Sequence, residues 1–172
     1  MSLTDLDISR VESPGDKKAF IAFPYDLYRG EPHWRPPLRM ERRDHVSEKV
    51  NPAMADYEVA YFLARRGGEI VGRIAAFLNH VHLKTYDDGT GHFGFFDCIP
   101  DPDVGRALLE AAETWLAAKN MRRMVGPSQW SVNDECGLLV EGFDTPPVMM
   151  MPYGRPDYPA MFDDFGLLKA TD

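Results

Sequence analysis

Cysteine is almost absent from the sequence: only Cys98 and Cys136 occur. Neither stands in a Cys-x-x-Cys or Cys/His ligand spacing, which excludes a disulfide framework and a structural zinc site and leaves two free thiols. Long apolar runs are missing as well. No stretch approaches the ~20 residues that a membrane-spanning helix needs. The opening Met1-Ser2-Leu3-Thr4-Asp5 has neither the basic flank nor the apolar core of a secretory signal. A cytoplasmic protein without membrane association is therefore expected. Internal repeats and low-complexity tracts are absent, as are the Gly-x-Ser-x-Gly, phosphate-loop and dinucleotide fingerprints. Positive charge is in short supply: 19 Lys and Arg face 27 Asp and Glu, a formal net charge of -8. Such a balance repels phosphate backbones and excludes general nucleic-acid binding. One basic run stands out, Arg35, Arg39, Arg42 and Arg43 with Lys49 beyond. Its interleaving with Glu41, Asp44 and Glu48 reads as a solvated surface segment, with a phosphate-bearing ligand as the other reading.

What is present is ordinary globular material, 172 residues with 44% apolar and 27% charged side chains, enough for one core and hence one domain over 1–172. Residues 6–11 alternate as a first strand. Ser13-Pro14-Gly15-Asp16 supplies a helix cap, a proline at the first helical position and an acid after it, and Phe20, Phe23 and Leu27 share one face. Pro24 lacks an amide, which predicts a kink or an end near Phe23. Four prolines make 29–52 an irregular arm with one short helix over 38–44. Residues 58–78 read as a hairpin turning at Arg66-Gly67-Gly68-Glu69. A polar loop then leads to a buried, interior strand over 91–99, rich in glycine and phenylalanine. Asp101-Pro102-Asp103 starts a helix with Val104, Leu108, Ala112 and Trp115 on one face. Residues 121–125 follow as a parallel strand joined by a crossover, and 126–157 as a long loop of the kind that carries function. A short helix over 158–165 ends at Gly166, and a last strand is expected from Leu167 to Ala170.

This order of elements resembles the acyl-CoA N-acyltransferase (GNAT) superfamily over nearly the whole chain. Phe23-Pro24-Tyr25-Asp26-Leu27-Tyr28, Asn133-Asp134-Glu135-Cys136-Gly137 and Gly142-Phe143-Asp144-Thr145-Pro146-Pro147 resemble bacterial GNAT-like proteins of unassigned substrate. The resemblance implies a mixed α/β fold, a central mixed sheet flanked by helices, with its closing strand missing and supplied either by a homodimer or another edge-strand partner or by a further segment, 1–172 then being an N-terminal portion of a longer family pattern. It implies acetyl-CoA as cofactor and acyl transfer to a small-molecule amine. Pantetheine would lie along Phe95, Phe96, Cys98 and Ile99, and the pyrophosphate on Val104, Gly105 and Arg106 at a helix N-terminus. Two departures are visible. The phosphate loop, Ile99-Pro100-Asp101-Pro102-Asp103-Val104-Gly105-Arg106, has one glycine, two prolines and two carboxylates. The usual tyrosine acid four residues before the glycine of a Gly-Phe pair is Phe162, before Gly166-Leu167, which leaves Tyr158, Tyr153 or Cys136 as the acid. A catalytically inactive ligand-binding or assembly module of the same fold is the alternative.

For amine acylation a base and an oxyanion support are needed. Asp97, a carboxylate inside an aromatic strand, is the first candidate base. Asp134 and Glu135 form the second pair, beyond the parallel strand where open α/β sheets bind ligands, and Tyr158 is the candidate acid. His80-x-His82 with His92 lacks a further ligand, so no metal is expected.

Overall fold

In the computed structural model, described over residues 5–171, alternating side chains dictate the sheet. Strands β1 (Leu6–Arg10), β2 (Tyr57–Arg66) and β3 (Glu69–Asn79) pair antiparallel in succession. Gly67 and Gly68 take the turn of the β2–β3 hairpin at φ +57° and +87°, where a side chain would be strained. Strand β4 (Thr90–Cys98) joins β3 antiparallel, and β5 (Arg123–Val125) joins β4 parallel, giving the sheet order β1-β2-β3-β4-β5. Ala60, Phe62, Ile74, Ala76 and Leu78 point to one face, Tyr61, Leu63, Ala75 and Phe77 to the other.

Helices cover both faces: α1 (Pro14–Leu27) and α2 (Arg39–His45) on one side, α4 (Pro102–Ala118) and α5 (Tyr158–Phe165) on the other, with α3 (His80–Tyr86) following β3. Val104, Leu108, Leu109, Ala112 and Leu116 of α4 recur at helical spacing and are at most 2% exposed. Burying each leucine contributes about 1.5–3 kcal/mol, so this stripe fixes α4 on the sheet.

Four elements depart from the sequence expectation. Of the kink or end expected near Phe23, the end does not occur: helix α1 runs through the buried Pro24 to Leu27. The Phe20 carbonyl, which the amide of residue 24 would have served, accepts a 2.9 Å hydrogen bond from Arg73 Nη1 instead. The expected polar loop after β3 contains α3, capped by Asn79, whose side chain accepts from the His82 amide. The long loop after β5 holds a two-stranded ribbon, β6 (Ser128–Gln129) and β7 (Ser131–Cys136), reversing at Trp130 with φ +81°. That strained residue is held by burial of its indole against Phe95, Phe77 and Tyr57. Leu167 to Ala170 forms no strand: the Leu167 amide bonds back to the Phe162 carbonyl at 3.1 Å across Gly166 (φ +96°), closing the end of α5.

Candidate active site

One extra residue in β4 decides where its chemistry points. The pairing Arg73↔Asp97 gives way to Ala75↔Gly94, so two residues of β4 oppose one of β3. Phe95, at φ +52°, is the bulged residue. A bulge reverses the in-and-out alternation beyond it. Phe96 and Cys98 thus enter the α4 core, Phe95 enters the α1 core, and Asp97 faces the α1 side with Arg73.

There Asp97, 7% exposed, is bound on both oxygens. Arg73 donates to Oδ2 from Nε at 2.8 Å and pairs with it through Nη2 at 2.7 Å. Tyr28 Oη donates to Oδ1 at 2.7 Å and lies 3.2 Å from Tyr158 Oη. The Tyr158 hydroxyl in turn accepts from the Cys98 amide at 2.8 Å and meets the Cys98 carbonyl at 3.0 Å. Burial first, and the Asp97 charge second, push the hydroxyls of Tyr28 and Tyr158 well above the ordinary phenol range. Both remain protonated donors at neutral pH. The result is a continuous chain, Asp97, Tyr28, Tyr158, ending on the backbone of β4.

That ending lies at the divergence of β4 and β5. The two strands pair only from Thr90↔Arg123 to His92↔Val125. Beyond it the chain after β5 crosses over Gly94, where a Cβ would stand 1.6 Å from the Ser128 carbonyl oxygen, so only glycine fits. Phe96 and Phe162 pack against each other and Phe96 against Tyr158, with centroids 5.0 Å apart in both pairs.

The chain opens onto a cleft of about 110 Å³. Its walls are largely aromatic and aliphatic, among them Tyr25, Trp34, Leu138, Leu139 and Tyr153. Glu135 reaches the cleft from β7, where it pairs with Arg42 of α2 and accepts from Gln129 Nε2 at 2.6 Å. Asp134 does not join them and accepts instead from Ser131 Oγ at 2.8 Å. Tyr153 lines the cleft and approaches Glu31 at 3.4 Å, and burial raises the thiol of Cys136 above its ordinary range. Asp97, Tyr158 and Glu135 are therefore brought together. Tyr28 and Arg73, which sequence reasoning passed over, complete the group.

The residues implied for a cofactor sit as follows. Ile99 donates its amide to the Val71 carbonyl at 3.0 Å, and the Cys98 thiol is buried 3.8 Å from Met161 Sδ. At the start of α4 the Asp103 amide is bonded to Asp101 Oδ1 at 3.0 Å, and the amides of Val104 and Gly105 to the Asp101 carbonyl. Arg66 neutralises Asp101 at 2.6 Å. Gly105 packs on α5 so closely that a Cβ would meet Met161 Sδ at 2.7 Å. Arg106 donates to the Asp164 carbonyl. A carboxylate thus already occupies the anion position of this helix start, and the residues there do not fit a pyrophosphate. Among the described residues no group of three or more His, Cys, Asp or Glu side chains is placed to hold a metal ion, and no helix is long and apolar enough to cross a membrane.

No family model matches the chain. It is 46% identical over 157 residues to Protein YghO of Escherichia coli (strain K12), covering 91% of this chain and 40% of that protein. It is 41% identical over 169 residues to a bacterial ceramide synthase of Caulobacter vibrioides (strain NA1000 / CB15N), covering 98% and 44%. The chain thus spans less than half the length of these curated relatives. Among solved structures it resembles a tandem GNAT protein from the clavulanic acid biosynthesis pathway, with a TM-score of 0.55 at 17% identity, over 94% of this chain and 43% of that one. A likeness at that identity establishes the architecture: the chain carries the GNAT fold.

Proposed function

We propose that this GNAT-fold chain transfers an acyl group from a thioester donor to an amine. The observation that carries the reading is the hydrogen-bonded chain of Asp97, Tyr28 and Tyr158 opening into the cleft where β4 and β5 part. With a thioester donor bound, Asp97 Oδ1 would take the proton shed by the attacking amine, and Tyr158 Oη would give one to the departing thiolate. Two hydrogen-bond shifts through Tyr28 restore Tyr158, so protons balance over one turnover. Arg42 and Glu135 form a second charged pair at the cleft that orients polar groups of the acceptor.

Acyl-CoA, acetyl-CoA in the simplest case, is the donor that the fold suggests. The α4 start offers it no free amides, and no step here depends on how its nucleotide is held. For the acceptor, one relative bears the name bacterial ceramide synthase, and a ceramide is the amide of a long-chain amino alcohol. The apolar cleft walls, Leu138 and Leu139 among them, suit the start of such an alkyl chain. We place a single-domain organisation, a cytoplasmic setting and pairing of two copies along β1 or β5, the terminal strands of the sheet, within the same proposal.

A non-catalytic module is the second reading, favoured by the Tyr158 hydroxyl filling the Cys98 backbone groups that a ligand would use. Calorimetry with acetyl-CoA and a long-chain acyl-CoA, together with thiol release on adding sphinganine, separates the two. Saturable binding with release that falls about 100-fold or more in Asp97→Asn supports catalysis. No binding at millimolar donor leaves the module.

A further inference from the structure

A proline inside a helix leaves two defects, a missing donor and an unserved carbonyl one turn back. In α1 the second defect is the Phe20 carbonyl, whose residue is 0% exposed, so water cannot repair it. The repair comes from the sheet. Arg73 of β3 donates Nη1 to Phe20 O at 2.9 Å and turns Nε and Nη2 to Asp97 Oδ2 at 2.8 and 2.7 Å. Its guanidinium lies over the rings of Phe20 and Phe95, 5.0 and 5.8 Å from their centroids. One planar fork therefore serves two acceptors on two elements. Tyr28, one turn after Pro24 and bonded through its amide to the Pro24 carbonyl at 3.0 Å, delivers its hydroxyl to the same Asp97.

We infer that Arg73 is a positioning residue: by mending the helix at Pro24 while gripping Asp97, it fixes the distance between the Tyr28 hydroxyl and the carboxylate. The inference rests on reading Asp97, Tyr28 and Tyr158 as the reacting group, and it adds a mechanical link between Pro24 and that group. Lysine cannot replace the fork, because one ammonium on a flexible stem does not present separate nitrogens to separated acceptors. The groups facing Asp97 are the charged Arg73 from β3 and the neutral hydroxyls of Tyr28, just past the end of α1, and Tyr158 of α5.

The link predicts non-additivity. Arg73→Lys lowers the melting temperature by about 6 °C and removes the slowly exchanging Tyr28 hydroxyl proton signal from the NMR spectrum. Pro24→Ala changes the wild-type melting temperature by less than about 2 °C. In the Arg73→Lys background the same Pro24→Ala change supplies Phe20 O with a new amide and frees the lysine for Asp97. It recovers at least half of the lost temperature and restores the hydroxyl signal. Thiol release falls about 10-fold in kcat in Arg73→Lys with KM for the donor unchanged, and recovers in the double variant. If Arg73→Lys alone does not fold, recovery of folded double variant is the supporting result. An identical effect of Pro24→Ala in both backgrounds, or a Tyr28 hydroxyl signal unchanged by Arg73→Lys, overturns the inference. Absence of thiol release in the wild type sinks the reaction reading alone, since the temperature cycle and the hydroxyl signal need no substrate.

Discussion

Tyr158 carries two loads that a single substitution separates. Its ring packs against Phe96, and its hydroxyl serves both the amide and the carbonyl of Cys98. Tyr158→Phe keeps the first and strands the second, leaving a buried donor and acceptor, so unfolding in denaturant should show a loss of about 1–3 kcal/mol. If the hydroxyl also protonates the leaving thiolate, turnover drops by far more than stability does. At this scale the sequence was half legible. Asp97 stood out because an acid among phenylalanines requires a partner, and Tyr158 because Phe162 cannot donate a proton. Tyr28 and Arg73 stayed hidden for one shared reason: Pro24 signalled the end of α1 before Tyr28, and the guanidinium that cancels that signal lies 49 residues further on in β3. No local pattern couples the two.

Among the elements, β4 is where spacing matters most. Gly91 and Gly94 both exclude side chains, but against different obstacles. A Cβ at Gly91 meets the Leu116 side chain at 2.4 Å, which can turn aside, whereas at Gly94 it meets the Ser128 backbone oxygen at 1.6 Å, which cannot. Gly91→Ala is expected to cost about 1 kcal/mol and Gly94→Ala about 3 kcal/mol, the latter with a red shift of Trp130 emission as the ribbon lifts from the sheet. The hairpin, α4, β4 and α5 follow from periodicity and caps, and the sequence expectation places them within a residue or two. Helix α3 escaped because His80-Val81-His82-Leu83-Lys84-Thr85-Tyr86 has no buried residue and hence no apolar stripe. The ribbon escaped because its reversal uses a tryptophan where Gly or Asn would have announced it. The bulge at Phe95 leaves no mark in composition, yet it alone turns Asp97 towards the cleft.

For the molecule as a whole, acid sensitivity rests on His92 together with His45, whose pKa burial also lowers. The His92 ring is stacked on Phe77 at 5.4 Å beside His82, and burial, then the His82 charge, lower its pKa to about 4. Between about 4 and 6.5 the unfolded chain binds a proton that the folded chain refuses. Stability is therefore complete above about pH 6.5 and declines as pH falls towards 4, by about 2 to 3 kcal/mol. Urea titrations across this window should show the slope in the wild type and a shallower one in His92→Gln, with His45 supplying the remainder. Asp88, held down to about 2 first by its hydrogen bonds with Thr90, titrates below that range and does not contribute to it. The -8 balance was readable from composition alone.

The borrowed donor at Phe20 also orders events in time. An isolated α1 carries a gap that nothing within its own fourteen residues can close, so the segment has little reason to become helical early. The hairpin of β2 and β3, whose contacts are local, can form without it. Folding is then expected to start in the sheet and recruit the first helix late, when the arginine arrives to complete it.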